Sequence, residues 1–169
     1  MEQKLETKLS FKDKLLNFYQ FHKVKIIVLF FVLIISLIVT VFIQQKKEKL
    51  NTTMSEKYVL ADLNLSQNKK DEAKNLLVEI ILSKNKFYSV LAVNKIVESN
   101  LIDSDEKILE YFNILENLDL SEDKLDLIIL KKSLFLLKIS KNLEGKKLLE
   151  ELIEKDSKIK KLAEEILLN

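Results

Sequence analysis

Hydrophobic positions follow two different rhythms along this chain. Residues 26–43 are apolar without interruption by a charge, a Gly or a Pro, and only Ser36 and Thr40 are polar. Beyond position 50 apolar residues instead recur at steps of three and four, in blocks of helix length separated by short polar links. The first rhythm predicts a membrane span and the second a series of amphipathic helices. As a helix the apolar run covers roughly 27 Å at 1.5 Å per residue, close to the thickness of a bilayer core. Ser36 and Thr40 can each return a hydroxyl hydrogen bond to a carbonyl one turn earlier, so spanning strands no polar group in lipid.

The competing reading of such a segment is a cleaved secretory signal, which needs a shorter apolar core and a small-x-small cleavage site. Here Gln44, Gln45, Lys46 and Lys47 follow the run, and the first Ala of the chain is Ala61. An uncleaved anchor over 26–45 is therefore expected, with the lipid bilayer as its partner. In front of it, "FKDKLLNFYQFHKVK" repeats Phe11, Leu15, Phe18, Tyr19 and His22 or Phe21 on one helical face, which predicts an amphipathic tail over 1–25 lying on the membrane surface. Lys8, Lys12, Lys14, Lys23 and Lys25 precede the span, against Lys46, Lys47, Lys49 and Lys57 after it. That small excess favours a cytoplasmic N-terminus with residues 46–169 outside the cytoplasm; in a bacterium with two membranes that means an inner-membrane anchor and a periplasmic domain.

The domain that follows reads as helix hairpins. "LSQNKKDEAKNLLVEIIL" closes one helix near Ser66 and restarts at Asp71; "ESNLIDSDEKILEYFNIL" repeats the step with Asp103 or Ser104 as N-cap; "KISKNLEGKKLLEELI" does it a third time. A short helix over 157–168 follows. Ala73, Lys107 and Gly145 fall after successive acidic turns, at steps close to the roughly 34-residue period of a tetratricopeptide repeat. Such a repeat places a Leu-small pair in its first helix and a small residue in its second. Leu60 and Ala61 with Ala73 fit the first unit, Leu91 and Ala92 the second, and Ser133 with Gly145 the third. The expected fold is thus all-α: one N-terminal transmembrane helix, then a tetratricopeptide-like antiparallel hairpin solenoid of about three helix pairs with a C-terminal capping helix. Positions flanking the Leu-small pairs would line its inner face, which makes Tyr58, Asp62 and Tyr88 the candidate protein-binding groove. "LDLIILKKSLFLLKI" looks like a second span, but Lys131 and Lys132 at its middle would each cost roughly 2.5–3.5 kcal/mol in lipid, so a buried domain helix is expected.

Composition narrows the chemistry. The chain has no Cys, no Pro, one Gly and one His, and every basic side chain is Lys. Thiol chemistry is excluded, and the shortage of Gly and Pro favours helix nearly throughout. The sole His22 has only Lys23 beside it, and the acidic turn at Asp103, Asp105 and Glu106 lacks the Gly and spaced ligands of a calcium loop. We expect no catalytic residue, no metal and no cofactor. Net charge is only +2, without the clustered basic and aromatic side chains that bind nucleic acid.

A short tail, one uncleaved span and one small repeat domain carrying "YVLADLNLSQNKKDEAKNLL", "FYSVLAVNKI" and "SDEKILEYF" resemble the YfgM-like family, the bacterial ancillary subunit of the Sec translocon. The resemblance implies a membrane-anchored periplasmic scaffold that partners translocon subunits, a membrane-anchored chaperone and exported clients. The alternative is a structural or assembly factor of another envelope complex, in division or secretion, whose transmembrane helix makes the main contact. A signalling role for an anchored cytoplasmic tail is a third reading.

Overall fold

The computed structural model describes residues 11–168. The expected tail residues 1–10, with Lys8, lie outside the described residues, as do the side chains of 11–15 and of Asn17. Among the described residues there are seven helices and no strand: α1 (Phe11–Ser66), α2 (Lys70–Leu82), α3 (Tyr88–Glu98), α4 (Asp105–Glu116), α5 (Glu122–Lys138), α6 (Asn142–Glu154) and α7 (Lys160–Leu168).

Where the sequence suggested a tail helix, a span and a first domain helix, the structure has one helix of 56 residues. No Gly or Pro occurs over its length to break it. The polar stretch after the span is made of good helix formers, and Gln44 bonds Glu48 one turn on, 3.3 Å away. Within the apolar segment Thr40 Oγ1 donates to the Ser36 carbonyl at 2.8 Å, the back-bonding that an apolar surrounding requires. Among the described residues α1 alone is long and apolar enough to cross a membrane. Among the described residues nothing buries its apolar side chains, with Phe30, Leu37 and Phe42 about two-thirds exposed. At its start the Phe18 and His22 rings meet edge-on, centroids 4.8 Å apart.

The chain divides into two units within α1, Met1–Glu48 and Lys49–Asn169. In the second unit α2 through α7 each pack on the next helix in sequence, and α2 also meets α4. The main core gathers Ala61, Leu77, Ile80, Ile81, Val93, Ile96, Tyr111, Phe112, Leu115 and Ile128. A smaller one joins Leu130, Leu149, Leu152 and Ala163. Helix α5 serves both, because Ile128 and Phe135 face the first while Leu130 faces the second. It is a domain helix: Lys131 is exposed, and Lys132 is held by Glu116 at 2.9 Å and by Asn113 at 2.8 Å.

Tight turns are made almost without glycine. Asn68, Lys84, Asn100, Ser140 and Asp156 take positive φ between the helices, the left-handed conformation that closes a helix C-terminus. After α1, α3, α5 and α6 the following amide reaches back five residues to the helix, as in Leu101 N–H to Ile96 O at 3.1 Å and Lys141 N–H to Leu136 O at 2.9 Å. Helix starts vary more. Ser104 caps α4 by accepting from Lys107 N–H at 3.2 Å. At α3 the buried Asn85 performs the same task from further back, its Oδ1 accepting from the amides of Phe87 and Tyr88 at 3.0 and 2.9 Å. Helix α7 begins at Lys160, three residues later than the sequence reading placed it.

Candidate functional site

Tyr58 and Asp62 lie one turn apart on α1, and Tyr88 and Lys95 lie on α3. The Tyr58 and Tyr88 rings face one another at a centroid distance of 6.3 Å. Phe87 closes edge-on against Tyr88 at 5.0 Å. Lys95 Nζ donates to Asp62 Oδ1 at 3.0 Å and stands 5.9 Å over the Tyr58 ring. All three groove residues expected from sequence are therefore brought together, with Lys95 as a fourth member that their spacing gave no means of finding. Burial pushes the Tyr58 hydroxyl above its ordinary pKa, and the hydrogen bond to Asp62 raises that of Lys95. The two charges here, Asp62 and Lys95, are already paired with each other. Tyr58 and Tyr88 are half-buried against the main core, so the cluster joins α1 to α3. Asn51 and Asn85 extend the same seam, the Asn85 amide donating to Asn51 Oδ1 at 2.6 Å.

The residues assigned to helix crossings divide by size. Ala61, Ala73, Ala92 and Ser133 have no exposed surface, and Gly145 is buried. Leu60 is 46% exposed, a correction to its place in a packing seam. Its neighbour Ala61 takes the inward position, and adjacent residues on a helix cannot both face the same partner. Leu91 is half-buried. Lys107 is a second correction, since it lies exposed and pairs with Glu110 at 2.6 Å. By helix position Ala73 and Gly145 match Ile108 and not Lys107: each is the fourth residue of its helix and donates its amide to the residue just before that helix. The acidic pair sits one residue deeper in α2 than in α4, and counting from it shifted the register.

A different surface runs between α3 and α5. A hollow of about 190 Å³ lies among Phe87, Val90, Leu91, Leu127 and Ile128, edged by Lys86, Lys124 and Lys131. A second, of about 300 Å³, lies among Val97, Phe112, Leu134 and Phe135, edged by Asn94, Glu98, Lys131 and Lys138. Lys131 belongs to both, so they adjoin. Lys86 is paired with Asp119 at 2.5 Å; among the described residues no carboxylate pairs with Lys124, Lys131 or Lys138. The sequence reading passed over this furrow because its residues come from separate hairpins.

Comparison with protein-family models, with curated proteins and with solved structures finds no match to this chain.

Proposed function

We propose that the chain is a membrane-anchored protein-binding scaffold. In this reading residues 26–45 of α1 cross a bilayer, and the helical unit after them is a tetratricopeptide-like solenoid of three hairpins capped by α7. The observation that carries it is the pairing of an uncovered apolar helix with a separate helical unit that has its own core. Packing of each helix on its successor from α2 to α7, with Ala73 and Gly145 buried at crossings, supports the repeat reading. The unit stands in the periplasm and holds protein segments beside the Sec translocon and its chaperones, as a YfgM-like protein would, to assist newly exported chains.

A photoreactive amino acid placed at Leu127 on the domain, and at Leu37 in the span, tests this in intact cells. Crosslinks from Leu127 to translocon subunits, a chaperone or exported proteins are expected. Crosslinks confined to Leu37 would move the main contact to the transmembrane helix and favour an assembly factor of another envelope machine. Domain crosslinks only to cytoplasmic proteins would remove the periplasmic part.

A further inference from the structure

The furrow between α3 and α5 carries a repeat of its own. Lys124, Lys131 and Lys138 follow one another at seven-residue steps, and Leu127 and Leu134 interleave with them at the same step. Seven residues is nearly two helical turns, so each series forms a line along one side of α5 with only about 20° of drift per step. Both leucines remain over 40% exposed, as does Phe87 across the furrow. Apolar positions in a row beside a row of unpaired cations, on a helix about 25 Å long, form half of a helix-helix seam without its other half.

We propose that this furrow docks an acidic amphipathic helix from a partner protein, about two heptads long, with Leu or Phe at seven-residue steps and Glu or Asp on the flank facing the lysines. The inference rests on the protein-binding reading above and names the partner's chemistry. Charge complementarity selects the occupant. Among the described residues, three lysines without a carboxylate partner border the hollows, and Glu98 is the one acid lining them. A basic or neutral helix would leave those ammonium groups uncompensated, while carboxylates at matching steps meet each in turn. Hollows of this size, open to solvent, take single side-chain anchors in place of an enclosed small ligand. The Tyr58 cluster offers no comparable opening, since its charges are already paired.

The test uses the full chain in nanodiscs of zwitterionic lipid and a fluorescein-labelled synthetic helix of two Leu heptads flanked by Glu. Counterparts carry Gln or Lys in place of Glu. The Glu helix should bind about tenfold more tightly than the Gln helix, the sum expected of a few exposed ion pairs, and weaken as salt rises. Combined Lys124→Glu, Lys131→Glu and Lys138→Glu should reverse the preference toward the Lys helix. Leu127→Ser with Leu134→Ser should weaken the Glu and Gln helices alike. These side chains lie on the surface, so helical circular dichroism should be unchanged; if charge reversal disturbs it, the three Lys→Gln changes supply the comparison. Equal affinity for the Glu and Gln helices, no binding of either, or crosslinks from Lys131 to a second copy of this chain would overturn the assignment. Domain crosslinks to exported proteins that persist beside any of those results would leave the scaffold reading standing. Loss of both would remove it.

Discussion

Asp126 is an acid on a helix face that the sequence pattern marks as apolar, and it is nearly fully buried. Burial is the largest influence on it and acts to raise its pKa, but hydrogen bonds from Lys155 and Ser157 outweigh that and hold the carboxyl below its ordinary value. It ties α5 to the turn between α6 and α7. Asp126→Ala leaves Lys155 and Ser157 without their acceptor, and urea titration of the detergent-solubilised chain should show a loss of about 2 kcal/mol. Because the folded pKa is the lower one, this stability is present above the unfolded value near 3.9 and lost as pH falls through the folded value. The wild-type advantage over Asp126→Asn should therefore shrink below about pH 4; an unchanged difference there would show that the charge is not what matters. Ser140 poses the opposite case. It holds φ 64° after α5, where a side chain is strained, so Ser140→Gly should raise stability by about 0.5–1 kcal/mol in the same titration.

At the scale of elements the one glycine decides how close two helices come. An added Cβ at Gly145 would stand 2.9 Å from Leu137 Cγ and 3.0 Å from the Ser133 carbonyl oxygen. Leu137 can rotate, but the carbonyl moves only with α5. Gly145→Ala gains about 1 kcal/mol in helix propensity and costs about 1–3 kcal/mol in overpacking. The net should be a loss of about 1 kcal/mol by thermal melting, with Gly145→Val worse; a stabilised alanine variant would mean that α5 and α6 yield freely. The existence of α2 through α7 was legible because their apolar periodicity and acidic first turns are local signals. Their register was less so: Ile108, not Lys107, takes the place of Ala73, and only backbone bonding reveals the difference. The polar links were legible, but not which residue in each turns left-handed, since Lys84 and Ser140 are neither Gly nor Asn. Pairs such as Asp62 with Lys95, or Asp126 with Lys155, were illegible because helix packing alone brings them together.

For the whole molecule the governing fact is the apolar segment of α1. Its large side chains find no cover among the described residues, and moving about sixteen of them into lipid is favourable by roughly 5–10 kcal/mol on the insertion scale. Water offers no alternative of similar depth, so the helix should stay in the membrane through extraction at high salt or alkaline pH. Retention also requires that the segment survive export, and Gln44, Gln45, Lys46 and Lys47 directly after it supply no small-x-small site. Mass spectrometry of the purified protein should accordingly recover peptides from residues 1–45. The proposed orientation rests on the flanks: lysines on the N-terminal side slightly outnumber those after the span, a bias that favours keeping the short side in the cytoplasm. A phosphatase that is active only after export, fused behind Asn169, should be active, and a fluorescent protein that matures only in the cytoplasm should stay dark at the same place. Reducing the bias by Lys23→Gln with Lys25→Gln should lower the phosphatase signal and raise fluorescence in part, because these two cations lie closest to the span on the side they retain. A bright fluorescent fusion in the unaltered chain would put the helical unit in the cytoplasm and exclude exported proteins as its clients, while leaving the acidic-helix furrow of α3 and α5 to be judged on its own binding data.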